Sequence, residues 1–535
     1  MSISRRMLLG QAGMAGAFSL LTGCGPSSPK DTPASDGNPQ TGGTLIIGQA
    51  GEPLALSSAG SIDGGASAVS VKIFDGLFTM DFKGNLVPKL ALSADLSPDG
   101  LVTRIKLRPD VKWHDGEAFT SADVAYSIGE VWRVYHPRSQ TALSNLLRIE
   151  TPSPLEVVLH FSQPVPYIFA TLADGSSQVV PRHLYEGKDV LTNPHNVNPV
   201  GTGPFQFESW TRGQHLVLKR NPNYWDGPRP YLDKLIFRFI AAGAATVAAL
   251  ESGAIHYSGG GVPLSDIERL RQNPDLWVET EALGSSANFS GFGFNLNNPV
   301  LQDRRVRHAF AHAINRDFLV KNIWLGSGEV ADSPIPPYSE WHAANLPQYG
   351  YDLKKAEALL DAAGLRRNAD GIRLTLRNEL MPPSGLYPRV SQYIRQDLAK
   401  IGIDLKLRSE ALSGYLNRKF TTRDWDTDTY GTGSDFDPAI GIQRFYWSKS
   451  IKVGVPFTNP THYASPEVDR LLEAAQVEID YEKRKALYAQ AQTVIQTDLP
   501  LIPIVFPHSH RLGVKRLSHN LTTRTDNLAH ARFLS

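Results

Sequence analysis

Residues 96–124 read LSPDGLVTRIKLRPDVKWHDGEAFTSADV, and this stretch decides the fold prediction. Apolar and polar residues alternate through 101–107, which predicts a half-buried β-strand. Asp115 and Gly116 form a turn dipeptide, and Trp113 is expected to pack beneath that turn. A Ser-Ala-Asp triplet then opens a helical pattern. Because the Trp-His-Asp-Gly run fits a packed turn, we interpret it as structural rather than as a catalytic or metal-binding cluster.

Strand and helix patterns alternate outward from this stretch along the rest of the chain. Short apolar or alternating runs predict strands, and apolar residues spaced three and four apart predict helices. The predicted strands cover residues 44–48, 101–107, 155–161, 216–219, 235–240 and 403–407, and the predicted helices cover residues 121–131, 306–314, 352–363, 390–401, 465–478 and 481–497. Interleaved strands and helices place the chain in the α/β class.

The composition describes a globular chain that is too long for one core. The 535 residues predict about two to four domains or lobes. Hydrophobic residues make up 41% and charged residues 20%, as in an ordinary folded protein. The formal net charge of +1 gives no electrostatic case for nucleic acid. No run of about 18 apolar residues occurs after the N-terminal segment, so we expect no membrane span in the mature chain.

Residues 1–23 resemble a lipoprotein export signal. Arg5 and Arg6 precede a mild apolar stretch, a layout that indicates the twin-arginine route or the Sec route. The run LTGC that ends at Cys24 resembles the bacterial lipobox, which implies cleavage before Cys24 and lipid attachment to its sulfur. Since Cys24 is the only cysteine, no internal disulfide is expected. Residues 24–43 are rich in Pro, Ser and Gly and are expected to form a flexible tether.

Five blocks of sequence, in matching order and spacing, resemble the family 5 extracellular solute-binding proteins of ABC importers. The first block is the stretch quoted above, and the second contains PVGTGPF and LKRNPNYW. The blocks lie at residues 96–124, 199–225, 294–309, 351–364 and 499–503. The GTGP run of the second block lacks the lysine and the helix start of a phosphate-binding loop, so we do not expect a nucleotide site there.

The resemblance implies a class II periplasmic-binding-protein fold of the large, peptide-binding type. Two lobes with an extra inserted subdomain would close over a buried solute through a strand hinge near residues 282–290 and 490–498. The core of lobe I would comprise residues 44–85, 200–285 and 495–535, the inserted subdomain residues 86–199, and lobe II residues 286–494.

The same resemblance implies a binding protein rather than an enzyme. It implies a monomer in the periplasm or elsewhere outside the cytoplasm that delivers a peptide-like solute to permease and ATPase subunits, with no cofactor and no metal. Binders of a nickel chelate, haem or another non-peptide solute share the fold, so they stay as alternatives.

An exported hydrolase is a further alternative. Against it, the sequence has no Gly-x-Ser-x-Gly elbow, no His-Glu-x-x-His pair and no candidate cysteine nucleophile. His508 and His510 would share one face of a strand, but the sequence shows no third metal ligand beside them. The sequence therefore favours binding over catalysis.

Residues 430–438 read YGTGSDFDP and resemble the segment with which peptide-binding members hold the α-amino group of the ligand. The resemblance assigns this role to Asp435, because a carboxylate binds an ammonium through charge-assisted hydrogen bonds. The neighbours that would add backbone or hydroxyl contacts are Thr432, Gly433 and Ser434. Asp435 stands one residue nearer to the following proline than in the family, which makes Asp437 a rival. An Asx-turn in a surface loop is the alternative role for Asp435.

Four further residues complete the candidate ligand site. Arg389 begins a helical run near the place where dipeptide-binding members grip a carboxylate, although a solvated helix-start cation is the plainer interpretation. Ser61 and Asp63 follow the first strand, where the family lines the cleft from lobe I, unless they belong to an ordinary loop. Trp447 ends a Phe-Tyr-Trp run and would wall a side-chain pocket, whereas such aromatic runs also build cores.

Overall fold

A computed structural model describes residues 40–60, 64–173, 177–281, 287–382, 386–456 and 458–535. The predicted export signal, the candidate lipidation site Cys24 and the candidate ligand residues Ser61 and Asp63 lie outside the described residues. The described chain interleaves strands and helices throughout, which confirms the predicted α/β class. None of the described helices combines the length and the apolar character that a membrane crossing requires.

The six predicted strands and six predicted helices are found, most with boundaries within a few residues of the prediction, and the described chain has further elements between them. The strands are β1 Thr44–Gln49, β2 Phe78–Met80, β3 Leu86–Pro88, β4 Ala91–Leu96, β5 Val102–Leu107, β6 Leu146–Ser153, β7 Glu156–Phe161, β8 Phe205–Thr211, β9 His215–Arg220, β10 Lys234–Phe239, β11 Tyr257–Ser258, β12 Leu276–Glu281, β13 Asn288–Phe294, β14 Gly328–Val330, β15 Leu374–Leu380, β16 Ile403–Arg408, β17 Thr427–Gly433, β18 Leu501–Pro507, β19 Ser509–Val514, β20 Leu517–Ser518 and β21 Arg532–Phe533. The α-helices are α1 Gly64–Ile73, α2 Ser121–Tyr126, α3 Arg133–Tyr135, α4 Pro137–Ala142, α5 Ile168–Leu172, α6 Arg182–Tyr185, α7 Ala244–Glu251, α8 Leu264–Arg271, α9 Pro299–Gln302, α10 Arg304–Ala313, α11 Arg316–Asn322, α12 Leu353–Ala362, α13 Tyr387–Lys400, α14 Leu412–Leu416, α15 Gln443–Tyr446, α16 Pro466–Val477 and α17 Tyr481–Asp498.

The largest sheet is seven-stranded, in the order β12-β19-β11-β1-β10-β9-β8. Strand β1 lies at its centre and runs parallel to β10 and β11, whereas the other neighbours are antiparallel. The strands come from distant parts of the sequence, so this sheet joins the beginning, the middle and the end of the described chain. Helix α1 follows directly after β1 in the chain, and both elements line the cavity described below.

A second, antiparallel sheet has four strands in the order β4-β5-β7-β6. Strand β5 belongs to the first sequence block, residues 96–124, and its burial alternates as predicted. The turn that follows is packed as predicted, because Trp113 is buried and the Gly116 amide donates to its carbonyl at 2.9 Å. Thr120 and Asp123 then form the reciprocal capping box that starts α2.

The third large sheet has six strands in the order β14-β18-β13-β17-β15-β16. Strands β15 and β16 are parallel, as are β15 and β17, and the other pairs are antiparallel. Strand β18, which lies between β14 and β13, is buried along nearly its whole length. Because β17 ends at Gly433, the segment predicted to hold a ligand amine follows directly from this sheet.

The chain passes between the six-stranded and seven-stranded sheets at His508, where β18 ends and β19 begins. Residues 490–498, which we expected near the hinge, lie in helix α17 instead. The apolar LIPIV run continues the six-stranded sheet, so the crossing comes later in the chain than the sequence indicated. The other expected hinge segment, residues 282–290, lies largely outside the described residues.

The first and second sequence blocks meet at His114. Burial lowers the pKa of His114 to about 4, so the ring is neutral at physiological pH. Its Nδ1 accepts the Gly201 amide at 3.1 Å, and its Nε2 donates to the Gly203 carbonyl at 3.0 Å. A Cβ on Gly201 would overlap the carbonyl oxygen of Ile73, the last residue of α1. The glycines therefore serve close backbone packing against α1, and the histidine is a structural clamp.

Candidate functional site

A cavity of about 720 Å³ lies beside the seven-stranded sheet. Its wall combines the end of β1, helix α1, the loop after β11 and the C-terminal residues 521–528. Arg138 from α4 and residues of β10, β12 and β19, among them Arg511, complete the lining. This volume falls in the range of about 300–1,000 Å³ that is typical of small-molecule sites.

The most unusual group in this cavity is Lys72, in the last turn of α1. The residue is only 6% exposed, and its ammonium makes no hydrogen bond or ion pair with the residues that the structure describes. Burial lowers the pKa of Lys72, and the charge of Asp526 opposes that shift. Lys72 is therefore a buried amine that lines the cavity, with Asp526 as a nearby negative charge but with no hydrogen bond or ion pair to the described residues.

Asp526 lies in the same wall and already has partners. Its Oδ2 accepts from the Tyr257 hydroxyl at 3.2 Å and lies 3.2 Å from Nε2 of His519. Burial favours the neutral acid, but the charges of His519 and Lys72, with the hydrogen bond from His519, bring the pKa of Asp526 below its usual range. Asp526 is therefore ionised at neutral pH.

Asp435, the predicted amine partner, is in contact with a cation of this cavity. Its Oδ2 lies 3.3 Å from Nε of Arg138, and the aspartate backbone is left-handed with φ of 52°. An aspartate tolerates this conformation better than most residues do. The ion pair joins the end of β17 to the wall of the cavity, so the predicted ligand segment and the cavity meet at this point.

The residues that precede Asp435 are held by strand β13. Thr432 and Gly433 pair with Phe289 and Asn288 in the antiparallel register. The buried Ser434 hydroxyl donates to the Ala287 carbonyl and accepts its amide, both at 3.1 Å. The Ser434 side chain is therefore occupied by backbone, whereas Thr432 lines a second cavity of about 350 Å³.

Asp437, the rival of Asp435, belongs to a buried ion pair. Arg484 of α17 donates two hydrogen bonds to its carboxylate, at 2.7 and 2.8 Å. Both side chains are almost fully buried, and the Ala439 amide donates to Asp437 at 2.9 Å. Such a satisfied bidentate pair anchors the loop after β17 to α17.

Two other predicted site residues lie apart from the cavity of about 720 Å³. Arg389 is an exposed residue near the start of α13. The Trp447 indole donates to Glu473 of α16 at 2.8 Å, and the Lys449 ammonium lies 5.6 Å from its ring centroid. Neither residue is among those that line this cavity.

Sequence reasoning missed the cationic residues of the cavity wall. These are Lys72, Arg138, Arg511 and Arg524. One local signal was available, since Lys72 interrupts the apolar run AVSVKIF in a helical segment. The others come from segments that only the tertiary fold brings together.

The described residues show no grouping of three or more His, Cys, Asp or Glu side chains that would hold a metal ion. His510 instead contacts Thr280 and Ser327 through its two ring nitrogens, at 3.0 and 3.1 Å. His508 precedes β19 and lies 3.8 Å from Glu329. The two histidines therefore have separate polar partners.

Comparison with known proteins finds a matching family model and similar chains. The sequence model of one protein family, the bacterial extracellular solute-binding proteins, family 5 (middle region), matches residues 85–453 of this chain. The chain is 27% identical over 507 residues to the oligopeptide-binding protein AppA of Bacillus subtilis, covering 92% of this chain and 91% of AppA.

Two solved structures are similar in fold over nearly their whole length. The periplasmic binding protein DppA from Helicobacter pylori, in complex with the peptide STSA, superposes with a TM-score of 0.81 at 27% identity, covering 93% of this chain and 99% of that one. NikZ from Campylobacter jejuni, in complex with Ni(L-His), superposes with a TM-score of 0.79 at 28% identity, covering 90% of this chain and 96% of the NikZ chain.

Proposed function

The chain belongs to the bacterial extracellular solute-binding proteins of family 5, and from that premise we propose that it captures a peptide-like solute for an ABC importer. The solute binds between two lobes and is then delivered to a membrane permease driven by ATPase subunits. The observation that carries this proposal is the solute-sized cavity. Arg138 in its wall forms an ion pair with Asp435, in the loop after β17. A peptide-bound relative of nearly the same length supports the ligand class.

The proposed lobes follow the sheets. Lobe I holds the seven-stranded sheet and an inserted subdomain at residues 86–199 with the four-stranded sheet. Lobe II begins near residue 286 and holds the six-stranded sheet. We place the return to lobe I at His508 rather than at residue 495, because β18 belongs to the six-stranded sheet.

The proposed setting is the outer face of a membrane. The family supports a periplasmic or other extracytoplasmic location, and the lipobox-like run at Cys24 supports a lipid anchor joined to the fold by a flexible tether. We propose that the protein acts as a monomeric binder without catalytic turnover.

Native mass spectrometry of the purified protein tests the ligand class directly. We expect a co-purified peptide, or added peptides that shift the mass and raise the melting temperature. A ligand at 100 times its Kd stabilises the fold by about 2.7 kcal/mol. Nickel–histidine and haem serve as comparison ligands, since a relative in complex with Ni(L-His) shares the fold. Stabilisation by one of these and by no peptide would contradict the proposal, as would peptide products formed at catalytic yield.

A further inference from the structure

Lys72 presents a buried amino group that forms no hydrogen bond or ion pair with the described residues. It lies in the last turn of α1, is 6% exposed and lines the cavity of about 720 Å³. Taking a charge out of water is costly unless a counter-charge or hydrogen-bond acceptors replace the water. The partial negative charge at the end of α1 compensates only a small part of this cost. Lys72 therefore has the surroundings of a group that awaits an anionic partner.

Arg511 lies in the same wall and is also incompletely paired. The residue is 5% exposed, and its Nη2 lies 2.9 Å from Glu279. Its Nε and Nη1 have no hydrogen-bond partner among the residues that the structure describes. A guanidinium group carries its donors in a fork that matches a carboxylate. The cavity thus combines Lys72 with Arg511, which keeps two donor nitrogens without a partner among the described residues.

The charged groups of the described cavity wall are predominantly positive. The cations are Lys72, Arg138, Arg511 and Arg524, and the acids are Glu281 and Asp526. Asp526 contacts His519 and Tyr257 through Oδ2 and accepts the Leu528 amide through Oδ1, and it forms no ion pair with Lys72. In a protein-lined pocket, where the effective dielectric is lower than in bulk water, an excess of cations favours a ligand of negative charge.

We propose that the solute carries a carboxylate group that binds the Lys72 ammonium, with Arg511 supporting it from the same wall. This inference rests on the proposed function and adds the chemical class of the solute, an acidic peptide or peptide-like acid. The carboxylate forms charge-assisted hydrogen bonds with Lys72 and replaces the water that burial removed. It comes from an acidic side chain or from the C-terminus of the peptide.

A matched peptide series on the full-length protein tests this. The probes are Ala-Glu-Ala, Ala-Gln-Ala and the C-terminal amides of both, measured by isothermal titration calorimetry. The variants are Lys72→Met, which keeps the apolar stem, and Lys321→Met, an exposed lysine in the last turn of α11. Loss of binding for Ala-Gln-Ala would identify the glutamate side chain as the carboxylate that is bound. Loss of binding for the C-terminal amides would identify the C-terminal carboxylate instead.

We expect Lys72→Met to weaken binding of the acidic probe by about 10- to 100-fold and to abolish the preference for it. The melting temperature of the ligand-free variant should be unchanged or higher, because an unneutralised buried charge has been removed. Lys321→Met should bind as the unchanged protein does, and Lys72→Arg should recover part of the affinity.

Three results would overturn the inference. If the unchanged protein binds all four peptides equally, the carboxylate site is wrong while peptide binding stands. If it binds none of them, the inference fails together with the proposed function. If Lys72→Met unfolds, or lowers the melting temperature without changing affinity, then Lys72 is a structural group.

Discussion

Asp435 and Asp437 stand two residues apart, yet their surroundings differ. Asp435 is partly exposed and faces Arg138 across the cavity wall. Asp437 is buried and makes two hydrogen bonds with Arg484. The sequence identified both as candidates but did not distinguish between them, because Arg484 lies 47 residues away and only the packing of α17 brings it close. The geometry favours Asp435 as the acid that a solute reaches.

Replacing Asp435 by Asn should weaken the binding of peptides with a free amino group by about 10- to 100-fold, because a charge-assisted contact is lost. N-acetylated peptides lack that ammonium and should lose little. Calorimetry with both peptide forms measures the difference. Equal affinities of the variant and the unchanged protein for free-amine peptides would contradict the assignment.

The control at Asp437 should behave differently. Asp437→Asn leaves the buried Arg484 guanidinium without its counter-charge, and breaking such a pair costs about 3–5 kcal/mol of unfolding free energy. Chemical denaturation should therefore distinguish the two variants. The unfolding free energy should fall strongly in Asp437→Asn and only slightly in Asp435→Asn.

The sequence was most informative about individual strands and helices. The predicted strand at 235–240 is found at Lys234–Phe239, and the predicted helix at 390–401 at Tyr387–Lys400. Periodic burial of one face determines both, so local patterns suffice. Strand β13, Asn288–Phe294, escaped prediction because its buried NFSGFGF run contains glycines and lacks alternation. The cationic wall escaped because α1, α4 and β19 meet only in the tertiary fold.

The glycines of the second sequence block pack against the end of α1, the helix that lines the cavity. A Cβ on Gly203 would lie 2.6 Å from the Ile73 carbonyl and 2.8 Å from the carbonyl oxygen of Lys72. Gly203→Ala should therefore displace the end of α1 and lower the unfolding free energy by at least about 1–3 kcal/mol. Because Lys72 moves with the helix, the affinity for solute should fall as well.

Gly350→Ala is the matched control for this substitution. A Cβ there meets nothing within 4 Å and the backbone is not in the left-handed region, so stability and affinity should both be retained. Thermal denaturation and calorimetry on the two variants provide the comparison. A Gly203→Ala protein that is as stable as Gly350→Ala would show that α1 packs against this block less tightly than its geometry indicates.

Across the whole molecule, the loop after β17 reaches over to the proposed lobe I. Asp435 pairs with Arg138, and the Phe436 ring lies 5.7 Å from the guanidinium of Arg524. Ile440 is buried within the apolar core that also contains residues of the seven-stranded and four-stranded sheets. Gly100 of the inserted subdomain also lies close to Ile479 of the proposed lobe II. A solute that binds between the lobes would add to these contacts. Ligand binding should therefore shift the lobes towards closure.

Small-angle scattering measures this closure as a fall in the radius of gyration when a saturating peptide is added. Ile440→Glu places a charge in the apolar contact and should hold the lobes apart, so the radius stays large and the affinity falls. Val453→Glu is the control, since Val453 is 65% exposed and a charge there is solvated. Both variants should keep a cooperative melting transition, which shows that each lobe is folded. If the peptide binds Ile440→Glu as tightly as the unchanged protein, or if the unchanged protein binds without any compaction, then capture does not depend on lobe closure.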